Sequence, residues 1–390
     1  MTSSTTSDLY FLPFDPASLT FGVSFPLTSC HSNNCRCTVT PSETSYERQW
    51  FGICFIAKAC LLQRFERIID YYSHFFQVFP VDIDPKNITD QESLTRLGLL
   101  HPSEWRVFGL EGFLGFLFIL NPWRKGSQRY WVTRCLRDYP CKPNVTNLDK
   151  LQHGVDNVWK EGYSEYRLQQ GKKTQPKTLL HKLRWTTLGY HYDWDKKQYH
   201  QERYTEFPPD LSQLSTHVAQ SLGFPHYKPE SAIVNYYGLD SQLGGHVDHQ
   251  ELDYSKPIIS FSFGQTAIFL LGGKTKSVKP TAMFLQNGDI MVMSGDTRLA
   301  YHGVPKILKP PIVGLLPEGL CEDERREGLH DSMLPSAMEE TWEQSALFME
   351  ECRINITVRQ VVAEGKGFGK RSCDDESQTE PKRTKEAQGS

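Results

Sequence analysis

The sequence contains no long hydrophobic segment. Its longest apolar stretch, Phe51–Leu62, is short and is interrupted by Lys58, whereas a membrane-spanning helix needs about 20 predominantly apolar residues. The N-terminal part is rich in Ser and Thr and has no charged segment followed by an apolar one, so we expect no secretory signal. We therefore predict no membrane association and reduced thiols.

Cysteine is present, but not in a recognisable metal-binding pattern. Five of the 10 cysteines precede residue 61. The Cys-x-Cys pair at Cys35 and Cys37 lacks the second pair that a structural zinc site needs. Internal repeats are also absent, which argues against a solenoid or a propeller.

Strong net charge is lacking too, since the formal value is -3 for 390 residues. That value argues against a protein that binds nucleic acid over its whole surface. The charge is unevenly distributed, however, because Asn121–Arg203 contains 17 Lys and Arg against 8 Asp and Glu. We interpret this basic block as a candidate phosphate-binding surface. A solvated helical surface would have the same composition.

The pattern along the chain predicts four regions. Residues 1–56 are rich in Ser, Thr and Pro and are assigned as disordered or unassigned. Residues 57–205 have a mixed pattern that begins with an amphipathic helix over Ala57–Tyr72. Residues 206–365 are rich in short strands and are interrupted at 309–351 by a loop with some helix. The tail 366–390 is polar and expected to be disordered.

Short strands with tight turns predict an α+β protein with a jelly-roll core. Asn287-Gly288 lies between two of the strands and predicts a hairpin, because these residues tolerate the positive φ of a tight turn. The predicted core strands are Ser231–Tyr237, Ile258–Phe263, Ala267–Leu271, Ala282–Leu285, Ile290–Met293 and Ile354–Val361. Earlier in the chain we predict a strand over Phe116–Leu120 and a helix over Gln128–Tyr139.

His246-Val247-Asp248, followed by His302, is a candidate metal site. In an extended chain, residues two apart point to the same side, so His246 and Asp248 can reach one ion. Two histidines and one carboxylate leave open positions on Fe(II), which oxygen and a bidentate cosubstrate require. A zinc or manganese site is the alternative, as is a degenerate site in a protein that only binds. His249 does not have the required spacing.

Residues 353–359 alternate strictly between apolar and polar side chains. Ile354, Ile356 and Val358 face one side, and the other side carries Arg353, Asn355, Thr357 and Arg359. A core strand with two arginines on one face indicates an anion, because guanidinium binds carboxylate through two parallel hydrogen bonds. An edge strand with its polar face in water would show the same alternation. Upstream, Asn235-Tyr236-Tyr237 ends a strand and could hydrogen-bond an organic acid on the metal.

Asn-x-Tyr, His-x-Asp, His and Arg-x-Asn-x-Thr-x-Arg, in this order, resemble the signature of the AlkB family of Fe(II)- and 2-oxoglutarate-dependent dioxygenases. The similarity extends over roughly 105–362. The sequence most resembles animal members of the family, for example at 179–199 and 260–273. The resemblance implies a double-stranded β-helix core, preceded by a helical and nucleotide-recognition lid region at 57–205. Gln250 stands where the bacterial prototype has an acid that helps to read the base.

The resemblance also implies roles for the residues of the signature. His246, Asp248 and His302 resemble the iron ligands, which act catalytically. Arg353 resembles the residue that pairs with the distal carboxylate of 2-oxoglutarate. The other residues expected at the cosubstrate, as binding or supporting residues, are Asn235, Tyr236, Tyr237, Asn355, Thr357 and Arg359. Fe(II), 2-oxoglutarate and O2 are therefore the expected cofactor, cosubstrate and oxidant.

Aromatic residues next to the basic block indicate single-stranded nucleic acid, because bases stack on them while cations hold phosphates. The segment Gly189–Tyr192 resembles part of the AlkB lid. Our candidate substrate-binding residues are Trp159, Trp185, Tyr190, His191, Tyr192 and Asp193. Ordinary core packing is the alternative for each of them.

The resemblance implies oxidative demethylation or hydroxylation of methylated bases in tRNA (1-methyladenosine and 5-methylcytosine) and in DNA (N6-methyladenine). The same chemistry on a protein substrate, such as histone methyl-lysine, is the alternative. We expect a monomer without a membrane partner. Lys370-Arg371 and Lys382-Arg383-Thr384-Lys385 resemble a bipartite nuclear signal, so we expect the protein in the nucleus or the mitochondrion, with the cytoplasm as a further location.

Overall fold

A computed structural model describes residues 78–87, 91–151, 154–169, 177–309, 315–321, 330–333 and 339–368. Several predictions of the sequence lie outside these residues: the disordered N-terminal segment, the helix Ala57–Tyr72, nearly all of the polar tail, and the nuclear signal within it. Among the described residues, no helix has the length and apolar character needed to cross a membrane.

Strands dominate the described part of the chain. The helices are α1 (Gln91–Arg96), α2 (Gln128–Thr133), α3 (Val158–Gln169), α4 (Leu179–Lys182), α5 (Pro209–Ser221) and α6 (Glu339–Met349). The strands are β1 (Val78–Pro80), β2 (Arg106–Leu110), β3 (Phe116–Leu120), β4 (Val145–Thr146), β5 (Trp185–Asp193), β6 (Gln198–Tyr204), β7 (Ser231–Gly238), β8 (Leu243–His246), β9 (Ile258–Gly264), β10 (Ala267–Leu271), β11 (Thr281–Leu285), β12 (Ile290–Met293), β13 (His302–Ile307) and β14 (Cys352–Arg359).

The strands form two antiparallel sheets. In the described residues the large sheet has the order β1-β2-β3-β12-β9-β14-β7-β5-β4, with β6 paired to β5, and the small sheet has the order β11-β10-β13-β8. The α+β class and the jelly-roll core are thereby confirmed. All six predicted core strands are present within a few residues, and the predicted helix over Gln128–Tyr139 is α2 continued by a π-helical turn.

Strand β14 shows how the alternating pattern becomes two layers. Ile354, Ile356 and Val358 are fully buried in the core that lies under the helices. Full burial of such a side chain is worth about 1.5–3 kcal/mol. The opposite side of β14 faces the small sheet, where a second apolar core lies around Phe269 and Met291. The polar face of β14 is therefore inside the protein, and the edge-strand interpretation of this segment is wrong.

The predicted hairpin at Asn287-Gly288 is wrong. Strand β11 pairs with β10 in the small sheet, whereas β12 pairs with β3 and β9 in the large sheet. The turn therefore carries the chain from one sheet to the other, and only Gly288 has a positive φ, of 86°. The Asn287 side chain instead accepts a hydrogen bond from the Gly264 amide at 2.8 Å, which fixes the turn against β9.

Strand β5 belongs to both the predicted lid and the large sheet. Its first half, Trp185–Gly189, pairs with β7, and its second half pairs with β6. The two halves meet at Gly189, which has a φ of 69°. A Cβ atom at this position would lie 2.2 Å from the Glu230 carbonyl oxygen, so only glycine allows the chain to bend here. The core sheet thus directly positions this strand of the predicted lid.

The predicted insertion at 309–351 ends in α6, in agreement with the helix expected there. The Gln265 side chain donates hydrogen bonds to the Met349 and Glu350 carbonyl oxygens at 3.0 and 2.9 Å. The Arg129 guanidinium lies 5.0 Å from the centre of the Trp342 ring. These contacts anchor the end of the insertion just before β14 begins.

Candidate metal and cosubstrate site

Sheet pairing brings the two predicted histidine ligands together. His246 ends β8 and His302 begins β13, and the two residues are direct partners in the antiparallel ladder. Their ring centres are 4.4 Å apart. Asp248 follows β8, and one potential ligand atom from each of the three residues lies within 4.8 Å of the others. This arrangement of two histidines and one carboxylate is typical of non-haem Fe(II) sites with open coordination positions.

Backbone carbonyl groups orient both imidazole rings. The Nδ1 atom of His246 lies 3.0 Å from the Gly244 oxygen, and that of His302 lies 3.1 Å from the Ala300 oxygen. Because a carbonyl oxygen only accepts, each Nδ1 carries the proton and each Nε2 keeps its lone pair. Burial lowers the pKa of His302, which keeps this ring neutral. Both rings are therefore ready to bind a cation.

Asp248 presents one carboxylate oxygen to the histidines and the other to an arginine. Its Oδ1 atom is 3.6 Å from His246 Nε2, and its Oδ2 accepts a hydrogen bond from Arg359 at 3.0 Å. Burial by itself raises the pKa of Asp248, but Arg359 and the two histidines lower it below its usual range. The carboxylate is thus charged, with Oδ1 available for a metal.

Arg353 is a buried cation that has hydrogen bonds but no acidic partner. Its side chain donates to the Ser262 hydroxyl at 2.7 Å and to two carbonyl oxygens, and the residue is 1% exposed. Its Nε atom is buried without a hydrogen-bond partner, and no acid of the described residues lies within ion-pair distance. Burial lowers the pKa of Arg353 to about 10. A buried guanidinium with a free donor fits a carboxylate ligand.

The polar face of β14 continues onto β7. Tyr237 and Asn235 are the ladder partners of Arg353 and Asn355. Burial raises the pKa of Tyr237 to about 12, so its phenol stays protonated and can donate to an anion. Asn355 donates to the Thr357 hydroxyl at 2.8 Å, which supports its role in holding the strand. These residues could hold a dicarboxylate between Arg353 and the histidines.

Tyr236 does not lie at the cosubstrate site, and this prediction is wrong. Neighbouring residues of a strand point to opposite faces, so Tyr236 points away from the face on which Tyr237 lies beside Arg353. The hydroxyl of Tyr236 donates to the Cys135 carbonyl oxygen, and the ring packs in the core under the helices.

A row of four aromatic rings leads from the surface towards the metal site. Trp185 and Trp194 have ring centres 5.4 Å apart, Trp194 and Tyr192 are 4.7 Å apart, and Tyr192 and Tyr199 are 5.4 Å apart. Trp194 is 44% exposed. At the inner end, the Tyr199 hydroxyl accepts from Arg359 at 3.4 Å, and Arg359 in turn holds Asp248. We call these four residues the aromatic row.

Trp159 and Asp193, two other predicted substrate residues, have structural positions. Trp159 stacks on Tyr163 with ring centres 5.1 Å apart and is buried under the helices, so its prediction is wrong. The Asp193 carboxylate accepts from Arg203 at 2.6 Å and from two backbone amides of the turn after β5. It is committed to the β5–β6 turn and not free for a base.

Tyr190 and His191 lie beside the aromatic row but outside it. Tyr190 packs against Tyr204 and Phe368, with ring centres 4.8 and 4.9 Å away. His191 is buried, and its Nδ1 is 2.8 Å from the Thr187 hydroxyl. Burial lowers the pKa of His191 to about 4, so the ring is neutral. Both residues pack in and around β5 and support that strand.

Much of the predicted basic block is neutralised locally. Several of its cations form ion pairs: Arg134 with Asp210, Lys142 with Asp149, Lys150 with Asp195, Lys177 with Asp240, and Arg203 with Asp193. Lys172 and Lys173 lie outside the described residues. The excess charge of this region is therefore a weaker argument for phosphate binding than the composition indicates.

Sequence reasoning missed Glu251 and Arg298. Arg298 donates to the Glu251 carboxylate at 2.8 Å and to the backbone oxygen of Asp248 at 2.6 Å. A signal was available, because Glu251 is three residues after Asp248, and Arg298 is four residues before His302. Both spacings place the residues next to metal ligands.

Comparison with known proteins agrees with this geometry. The family model of the 2OG-Fe(II) oxygenase superfamily matches residues 138–359. The chain therefore belongs to this superfamily of enzymes, whose members use Fe(II), 2-oxoglutarate and O2. The histidines, Asp248 and the unpartnered donor of Arg353 fit these groups.

Within this superfamily the chain is similar to AlkB homologues. It is 47% identical to the nucleic acid dioxygenase ALKBH1 of Mus musculus over 292 residues, which cover 74% of each chain. It is 35% identical to the DNA N(6)-methyladenine demethylase ALKBH1A of Arabidopsis thaliana, covering 65% of this chain and 77% of the relative. It is 38% identical to the tRNA demethylase abh1 of Schizosaccharomyces pombe, covering 52% and 72%. The chain is an AlkB-family oxygenase close to ALKBH1.

Proposed function

We propose that this protein oxidises methyl groups on the bases of nucleic acid. tRNA carrying 1-methyladenosine or 5-methylcytosine is the first substrate to test, and DNA carrying N6-methyladenine is the second. The observation that carries the proposal is the aromatic row, which leads from exposed Trp194 to the arginine that holds Asp248. Enzymes that modify a base take it out of the base stack. Aromatic side chains can bind such a base by stacking on its face, whatever its identity.

Different residues would bind the metal, the cosubstrate and the base. His246, His302 and Asp248 would hold Fe(II), and Arg353 with Tyr237 would hold the far carboxylate of 2-oxoglutarate. Bound Fe(II), with 2-oxoglutarate and O2, supplies the oxidising power that inserts one oxygen atom into a methyl C–H bond and yields succinate and carbon dioxide. The aromatic row would orient the base and exclude water beside it.

The position of the methyl group decides the final product. A hydroxymethyl group on nitrogen breaks down to formaldehyde and the unmethylated base, whereas one on the carbon of 5-methylcytosine persists. The names of the relatives favour nucleic acid over a protein substrate such as histone methyl-lysine. Gln250 hydrogen-bonds His249 at 2.7 Å. Because an amide replaces the acid of the bacterial prototype at this position, we expect a different base preference.

The test is turnover of Fe(II)-loaded protein with total tRNA, 2-oxoglutarate and O2, followed by mass spectrometry of succinate and modified nucleosides. Asp248→Ala should abolish turnover. Asp253→Ala is the matched control, because this carboxylate lies on the same loop and, among the described residues, accepts a hydrogen bond only from the Ser255 amide. Succinate that requires tRNA and Asp248, with loss of 1-methyladenosine or oxidation of 5-methylcytosine, supports the proposal. Succinate without a change in any nucleoside of tRNA or DNA would refute it.

We also propose that the protein is a monomer in the nucleus or the mitochondrion, with the cytoplasm as the third compartment to examine. The basic pairs at Lys370-Arg371 and Lys382–Lys385 support the nuclear location. Imaging of the tagged chain, with and without Ala at these basic residues, tests it. Exclusion of the intact chain from nuclei would refute the nuclear location, and light scattering would test the monomer.

A further inference from the structure

A buried cluster of two carboxylates and two guanidiniums lies behind the metal site. Its members are Asp248, Glu251, Arg298 and Arg359, and the side chains of Glu251 and Arg298 are 2% and 1% exposed. The cluster is electrically balanced, which is the condition under which such charges are tolerated in a protein interior. Of the four residues, only Asp248 faces the histidines.

Glu251 is the member that contacts both arginines. Its Oε2 atom accepts a hydrogen bond from Arg298 Nη2 at 2.8 Å. Its Oε1 lies 3.2 Å from Arg359 Nε, which is an ion-pair contact without hydrogen-bond geometry. Each arginine then reaches Asp248 from a different side. Arg359 donates to the Oδ2 of its side chain at 3.0 Å, and Arg298 donates to its backbone oxygen at 2.6 Å.

These contacts leave neither guanidinium free to turn. The remaining nitrogens are also engaged, because Arg359 Nη1 donates to the Tyr199 hydroxyl at 3.4 Å, and Arg298 Nε donates to the Lys256 carbonyl oxygen at 3.2 Å. The Nε of Arg359 has no hydrogen-bond partner among the described residues, and the Glu251 charge at 3.2 Å is what holds this edge in place. Without that charge, the edge would turn to a second acceptor. The nearest carboxylate is Asp248, and a guanidinium prefers to bind both oxygens of one carboxylate.

We propose that Glu251 is a positioning residue for the metal site. By holding Arg298 and Arg359, it restricts Arg359 to a single hydrogen bond with Asp248 and leaves Oδ1 of that residue for the metal. Glu251 does not itself touch metal, cosubstrate or substrate. The inference rests on the proposed metal site and adds a residue that neither the AlkB signature nor the spacing of the ligands identified.

The chain offers a matched control for the loss of a buried carboxylate. Glu230 is 8% exposed, and its Oε2 accepts from the Val361 and Val362 amides at 2.9 and 2.8 Å. Among the described residues its carboxylate contacts no guanidinium of the cluster, and its one link to the cluster is a backbone hydrogen bond from the Glu230 N–H to the Arg359 carbonyl oxygen at 3.1 Å, which Gln would keep. Glu230→Gln should therefore reduce stability without changing the metal site, whereas Glu251→Gln should change both.

The experiment measures Mn(II) binding by metal-free protein, through the electron paramagnetic resonance signal of free Mn(II). The proteins are the wild type, Glu251→Gln, Glu251→Asp, Glu230→Gln and Asp248→Ala. Glu251→Asp keeps the charge, so that folding is retained, but it is too short to reach both arginines. Circular dichroism and thermal unfolding of the metal-free proteins check the fold, and if Glu251→Gln does not fold, Glu251→Asp carries the test.

We expect the Kd for Mn(II) to rise about 10- to 100-fold in the two Glu251 variants, which is the usual effect of losing a residue that supports a ligand, and to stay unchanged in Glu230→Gln. An unchanged Kd in folded Glu251 variants would overturn the inference, as would an equal rise in Glu230→Gln. If Mn(II) binding were lost only in Asp248→Ala, the inference about Glu251 would be wrong, but the proposed metal site and function would stand. Absence of Mn(II) binding by the wild type would overturn both.

Discussion

Substitution of Arg353 by lysine tests the cosubstrate site most directly. The buried guanidinium has a free Nε donor and lies beside Tyr237, its ladder partner. Lysine keeps the positive charge, but it is a point charge and cannot bind a carboxylate through two parallel hydrogen bonds. We therefore expect Arg353→Lys to weaken 2-oxoglutarate binding while leaving the metal ligands in place.

The magnitude follows from the number of hydrogen bonds lost. One hydrogen bond to a charged group is worth about 1.5–3 kcal/mol, and lysine retains one of the two that arginine can make to the carboxylate. The KM for 2-oxoglutarate should therefore rise about 10- to 150-fold. Arg353 now donates hydrogen bonds to the Ser262 hydroxyl and to two carbonyl oxygens. Lysine places an ammonium group near the same acceptors, so the fold should persist.

The assay is succinate formation at saturating nucleic acid with 2-oxoglutarate varied, together with Mn(II) binding to the metal-free protein. Arg106→Lys is the control, because Arg106 is exposed on β2 in the same sheet. A KM that is unchanged in Arg353→Lys would refute the assignment of the carboxylate to this arginine. A parallel loss of Mn(II) binding would show that the substitution had disturbed the metal site instead.

Three further predictions concern the substrate surface, pH and packing. Trp194→Ala should weaken binding of single-stranded RNA by about 1–3 kcal/mol, the value of one stacked base, whereas Trp159→Phe should not; equal titration curves for the two variants would contradict this. Because burial lowers the pKa of His191 to about 4, the unfolded chain binds more protons below the ordinary value near 6.5. The free energy of unfolding should thus fall by up to about 3 kcal/mol as the pH drops from 7 to 4, and denaturant titrations of His191→Gln should lack this component. Phe261→Ala removes a fully buried ring and should cost about 3–5 kcal/mol, against under about 0.5 kcal/mol for the exposed Leu114→Ala in the same titration.

Local patterns in the sequence were enough to predict the six core strands, β3, α2 and the candidate metal ligands, but not β8 and β13, which carry the two histidines. Strict alternation identified β14, and the two-residue spacing of His246 and Asp248 placed both on one side of the chain. Pairing partners could not be predicted in the same way, because a ladder joins residues that are distant in the sequence. The turn at Asn287-Gly288 has the composition of a hairpin, yet the strands on its two sides find their partners in different sheets.

Errors in the predicted site have equally physical causes. Tyr236 was included with Tyr237, although the period of a strand allows only one of the two at the site. Trp159 is an aromatic residue within the basic block, which made it a candidate for base stacking, but its side chain is buried under the helices and is not available to a substrate. Glu251 and Arg298 lie close to metal ligands in the sequence, but their hydrogen bond joins residues 47 positions apart, so the local spacing does not show that they pair.

The position of β8 has a consequence for how the protein is held together. Among the described strands, β8 lies at the edge of the small sheet and pairs only with β13, and three of its four residues are exposed. A bound metal would link His246 on the edge strand to His302 on the neighbouring strand, and so would hold β8 against β13. Amide hydrogen exchange over Leu243–His246 should therefore be faster in the metal-free protein. Metal binding should stabilise this edge of the small sheet in the same step that completes the active site.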